Sequence, residues 1–113
     1  MILLPYPAAP LWPNKRAHWA KKARETKKHR AWAWGAAMEL MPEVEGDSIP
    51  IKITLYPKPT GPAPDKDNVI ASAKAYLDGI AQALGVNDRN FAAPTVVISS
   101  QRLSQMGIEI GKA

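Results

Sequence analysis

The sequence predicts a small α/β sandwich: a single domain over residues 1–113, with two main helices lying on one mixed β-sheet in the order β-α-β-α-β-β. Three stretches carry that expectation. Arg16 to Met41 contains no proline and is rich in Ala, Lys, Arg and Met, which favours helix. IPIKITLY alternates Ile49, Ile51, Ile53 and Leu55 with other residues, the period of a half-buried strand. From Asn68 to Leu84, Val69, Ala73, Tyr76, Leu77, Ile80 and Leu84 make one apolar stripe that Gly85 ends, which predicts an amphipathic helix.

In chain order, Ile2 to Tyr6 reads as a short strand, after which prolines 7, 10 and 13 impose an extended passage. On the first helix, a wheel of about 3.6 residues per turn groups Trp19, Ala23, Ala31, Trp34, Met38 and Met41 as the expected core face. Lys21, Arg24, Lys28 and Trp32 fall opposite. For Trp32, packing or a subunit contact is the expected role ahead of base stacking. Pro42 and Gly46-Asp47-Ser48 end this helix. YPKPTGPAP, with four prolines and a glycine in nine residues, forms a stiff loop that delivers the chain to Asp65. TVVIS (95–99) and MGIEI (106–110) read as two further strands joined by a polar turn.

Composition bounds the function. The 113 residues suffice for one modest core without staples. The absence of cysteine excludes a disulfide framework and any thiolate metal site. MILLPYPAAPLWP has no basic start and is broken by proline, a poor signal peptide, and no run approaches the ~20 apolar residues that span a bilayer. A soluble, cytoplasmic protein without membrane contact is expected. The net charge of +5 is unevenly placed: Lys15 to Arg30 holds eight Lys or Arg against Glu25 alone, whereas the remaining seven basic and nine acidic residues sum to −2. A basic segment on a slightly acidic domain points to a polyanion, with nucleic acid ahead of membrane and a solvated helix face as the plain alternative.

PDKDNVIASAKAYLD carries the candidate chemistry. Helix geometry places Lys74 and Asp78, seven and eleven residues after Asp67, within about 20° of its direction. Asp67 or Asn68 alone is best explained as a helix N-cap. A cap needs only one side chain, however, and Asp65 sits on a proline-stiffened loop while Asp88 follows the helix in GVNDRNF. Three carboxylates from loop regions suit a hard cation such as Mg²⁺. His18 and His29 are too few and too scattered for zinc.

DKDN, Lys74, LDGI and GVND together resemble the RusA family of Holliday junction resolvases, and PNKRAHWAKKAR is similar to that family's opening, a Pro-Asn pair before a basic helix. The resemblance runs from about Leu11 to Ser99. It implies a RusA-like fold and a Mg²⁺-dependent crossover junction endodeoxyribonuclease, with Mn²⁺ as a substitute ion. Such an enzyme works as a homodimer on four-way or branched DNA in recombination and repair, in a bacterial host or phage-infected cell. By position, Asp65, Asp67 and Asp88 match the catalytic and metal-holding acids, Lys74 the catalytic lysine, and Asn68 and Asp78 accompany them. Asn14, Lys15, Arg16, Lys21, Lys22, Arg24, Lys27 and Lys28 are the expected DNA contacts. The best-known members carry the lysine four residues after the second aspartate, where this chain has Ala71, and often have paired acids where Asn87 precedes Asp88. The rival expectations are a non-catalytic basic DNA-binding module and an RNA-associated basic domain, although no RNP-type aromatic motif is present.

Overall fold

The computed structural model describes residues 1–13 and 15–111. Four strands, β1 (Ile2–Pro5), β2 (Ile51–Tyr56), β3 (Thr95–Ile98) and β4 (Gln105–Ile110), form one sheet in the order β1-β4-β2-β3. β4 is antiparallel to both β1 and β2, whereas β2 and β3 are parallel. Parallel neighbours cannot be joined by a tight turn. The chain between them supplies two helices, α2 (Lys66–Ser72) and α3 (Lys74–Leu84), and with the long α1 (Trp19–Leu40) these complete the expected α/β class.

Register explains the core. Ile2, Ile108, Ile53 and Val96 are cross-strand neighbours in one row, and Leu4, Met106, Leu55 and Ile98 in the next. Because side chains alternate across a strand, both rows point to one face, where they cluster with Ala33, Ala37, Val69, Tyr76 and Ile80 from the helices. Ile49, expected as the first residue of the second strand, lies just outside it and makes an isolated parallel bridge to Phe91.

Two expectations about the helices are corrected. On α1, the buried residues are His29, Ala33 and Ala37, while Trp19, Ala23, Ala31, Trp34 and Met38, and Met41 at the helix C-cap, are all exposed. The reason is close approach: a Cβ on Gly79 of α3 would collide with the Arg30 carbonyl oxygen and lie 3.1 Å from the Trp34 amide nitrogen. Backbones this near leave no room for tryptophan between them, so the face with Ala33 and Ala37 turns inward.

The single helix expected over 68–84 is divided at Ala73 (φ −86°, ψ −6°). Ser72, buried at the end of α2, donates its hydroxyl to the Val69 carbonyl oxygen at 2.8 Å. The Ala73 amide lies 3.1 Å from Val69 O and 3.2 Å from Ile70 O. Back-bonding of this kind bends helices, and the apolar pattern cannot register it.

Histidine 29 ties the N-terminal segment to the helical layer. Its Nε2 accepts the Ala8 N–H at 3.1 Å, so the ring proton belongs on Nδ1, which donates to Glu25 O at 2.7 Å. Burial lowers its pKa more than the Glu25 carbonyl and carboxylate raise it. Tyr76 packs on the same ring and donates its hydroxyl to Pro5 O at 2.6 Å. Both ring nitrogens of His29 are thereby committed and neither is available to a metal.

Candidate active site

The proline-rich loop after β2 is held in place by the turn between β3 and β4. Arg102 Nη1 donates to Lys58 O (2.8 Å) and Gly61 O (2.9 Å), and Ser104 N donates to Pro57 O (3.0 Å). This fixes the position of Asp65, the residue at the N-cap of α2. The N-cap position expected at Asp67 or Asn68 falls two or three residues earlier, and the Asp65 side chain makes no capping hydrogen bond. Asp67 lies in the first turn of α2, beside the positive end of the helix dipole.

Two neighbouring clefts divide the predicted residues. The first, about 420 Å³, is lined by Asp65 and Asn68 together with Tyr6, Trp12, Lys15 and Lys58. The second, about 280 Å³, is lined by Ala71, Lys74, Asp78 and Asp88, with Phe91 and Pro94 forming part of its apolar wall. Asp67 is four residues before Ala71, one turn away on the same helix face. α2 thus joins the clefts, with Asp65 facing one and the Asp67–Ala71 row leading into the other.

In the second cleft Lys74 Nζ stands 4.0 Å from Asp88 Oδ2, both side chains largely open to solvent. Asp78 is one turn beyond Lys74 on α3 and half-buried. Burial, and then the adjoining Asp88 carboxyl, push Asp78 above the usual carboxylate range, against the pull of Lys74 and of Arg30 on α1. Two carboxyls and one ammonium at a cleft mouth give a site able to hold a proton and to meet an anion. The break at Ala73 matters here, because Lys74 opens a new helix instead of continuing the old one.

Oxygen-only, solvent-facing carboxylates are the right donors for Mg²⁺. Among the described residues, however, no three His, Cys, Asp or Glu side chains come together in a group that could hold a metal ion. Asp78 and Asp88 are adjacent, whereas Asp65 and Asp67 are carried by the start of α2.

The basic residues Lys15, Arg16, Lys21, Lys22, Arg24, Lys27 and Lys28 are all exposed. Asn14, also expected at the DNA, lies outside the described residues. Lys28 pairs with Glu25 at 3.1 Å and stands 5.4 Å from the centre of the Trp32 ring, which packs on His29 at 4.7 Å and remains 40% exposed. The expected packing role of Trp32 is thus fulfilled on one face only. Sequence reading missed Tyr6, Trp12, Lys58 and Arg102. Their only sequence signal is two aromatics bracketing Pro7 and Pro10 and a lysine within the second proline-rich run.

No model of a known protein family matches the chain, and no solved structure matches it. The chain is similar to an uncharacterized protein of Xylella fastidiosa (strain Temecula1 / ATCC 700964), 37% identical over 102 residues, an alignment covering 85% of this chain and 65% of that protein. It therefore spans less than two thirds of the relative's length. No helix of the described residues is long and apolar enough to cross a membrane.

Proposed function

We propose that this chain is a Mg²⁺-dependent, structure-specific endodeoxyribonuclease of the RusA type that resolves four-way DNA junctions by paired nicks. The observation that carries the reading is the neighbourhood of Lys74, Asp78 and Asp88 in one cleft, a turn of helix from Asp67 and next to a helix with an exposed basic surface. Asp67 and Asp88, with Asp65, are the residues that would hold Mg²⁺, which supplies polarisation of a phosphate and a lowered pKa for an attacking water. Mg²⁺ retains waters and is often held by one or two carboxylates plus substrate phosphate, so a closed three-acid cage is not a requirement.

The chain's own groups do the rest. Lys74 offsets negative charge developing on the phosphate. The solvent-facing lysines and arginines of α1 and its approach hold the junction arms through phosphates, fixing position without reading sequence. Symmetric nicking of opposed strands calls for two sites, hence a homodimer. The exposed Trp34 and Met38, four residues apart on α1, with exposed Met41 at the helix C-cap, form the face offered for it.

One observation favours a second reading. The lack of a three-acid group among the described residues fits a non-catalytic DNA-binding module whose acids only solubilise it. Incubating purified protein with a labelled four-way junction, with and without Mg²⁺, separates the two. The nuclease gives paired Mg²⁺-dependent cuts that Asp67→Asn abolishes while binding persists. The module gives equal affinity in both buffers and no product.

A further inference from the structure

The first cleft is not absorbed by the catalytic proposal, which uses only Asp65 at its edge. Its walls are preformed. Trp12 is buried and anchored by an Nε1 hydrogen bond to Pro7 O at 2.9 Å, and its ring stacks on Tyr6 at 5.2 Å and 24°. Tyr6, half-exposed, is the shelf that Trp12 backs. Its amide is bonded to Ser104 O at 3.2 Å, and the opposite wall is the proline-rich loop pinned by Arg102. Lys58 Nζ lies 5.3 Å from the centre of the Tyr6 ring, and Lys15 lines the same cleft. Among the described residues neither lysine has a carboxylate within ion-pair distance.

We infer that this cleft is a binding subsite for a single unpaired nucleotide of a DNA strand, its base stacked on Tyr6 and its phosphates met by Lys58 and Lys15. Three features select that ligand. The volume of about 420 Å³ is that of a small-ligand site and cannot admit a stacked duplex. An aromatic shelf beside two unpaired cations matches the base and backbone of a single strand, the combination that binds such strands elsewhere. Asn68 adds an amide able to both donate to and accept from a base edge. Lys58 is a flexible, exposed side chain, so a base arriving over Tyr6 displaces its ammonium toward the phosphate.

The subsite rests on the nuclease reading for its purpose only: with Asp65 at its edge, it would hold the nucleotide splayed out beside the cut. Its existence can be tested separately. The probe is a short oligothymidylate carrying one central 2-aminopurine, titrated with full-length protein without divalent ions. Stacking should quench the probe on binding. Tyr6→Ala, or Tyr6→Leu if the smaller side chain fails to fold, should weaken binding about ten-fold and remove the quenching, as expected for loss of one stacked base. Tyr6→Phe should retain both effects. Lys58→Ala should weaken binding and lower the salt slope by about one phosphate contact.

Quenching unchanged in Tyr6→Ala and Tyr6→Leu, or equal when the probe is paired in a duplex, overturns the subsite. Junction cleavage measured on the same proteins keeps the two ideas apart. Tyr6-dependent quenching without any cleavage retains the subsite and rejects the nuclease, and cleavage without Tyr6-dependent quenching does the reverse.

Discussion

Replacing Gly79 by alanine tests the packing that decides where the candidate site sits. The new methyl would collide with the Arg30 carbonyl oxygen and stand 3.0 Å from its carbon and 3.1 Å from the Trp34 amide nitrogen. All three obstacles are backbone, so no rotamer change relieves them and α3 must move off α1. Overpacking costs about 1–3 kcal/mol, here at the upper end. Better helix propensity returns about 0.8–1.0 kcal/mol, leaving a net loss of about 2 kcal/mol. With an unfolding entropy of about 2.1 cal/mol/K per residue, 113 residues correspond to roughly 0.24 kcal/mol/K, so the melting temperature should fall by about 8 °C. Gly35→Ala is the control, since nothing lies within 4 Å of its Cβ. Propensity alone should then raise the melting temperature by about 3–4 °C. Thermal unfolding followed by circular dichroism reads both. If Gly79→Ala is as stable as the wild type, or is stabilised like Gly35→Ala, the close-approach argument is wrong.

Lys74→Ala should cut junction cleavage ten-fold or more, on the order of 1.4 kcal/mol of transition-state stabilisation. Its contact with Asp88 is long and exposed, so the melting temperature should barely move; a folding defect without a rate defect would make Lys74 structural. The proton balance of His29 sets a pH dependence. With its folded pKa below the unfolded 6.5, the unfolded chain binds the extra proton first. Stability is then complete above about pH 6.5 and falls as pH drops toward the folded pKa, by at most about 1.4 kcal/mol per pH unit. Denaturant unfolding of wild type and His29→Gln between pH 7.5 and 5, on the order of that window, should show the slope in the wild type alone, and equal slopes would contradict a buried ring held neutral in the fold. Junction affinity should drop steeply with salt because several Lys and Arg release counterions, and a flat response would remove α1 from the interface.

Much was legible in the sequence, because local chemistry dictates it. The Ile51-Ile53-Leu55 alternation makes β2, the proline run makes a loop, and Gly85, at φ +69°, ends the helical region in the conformation that glycine tolerates best. Helix spacing puts Lys74 and Asp78 on one edge and the loop after the helix adds Asp88, and the structure brings those three together, whereas Asp65 and Asp67 stay at the start of α2. What sequence could not supply depends on contacts distant along the chain. The inward face of α1 is chosen by Gly79, roughly fifty residues away by sequence position, which favours small side chains over tryptophans that look more hydrophobic. The division at Ala73 comes from one buried hydroxyl turning back on a carbonyl, which leaves no trace in an apolar stripe. The first cleft exists only because Tyr6 and Trp12, Lys58, and the Arg102 clamp come from three separated stretches. Periodicity reports which residues a single element can bury. Which neighbour each element buries them against, and what polar groups then meet at the seams, is settled only when the whole chain is packed.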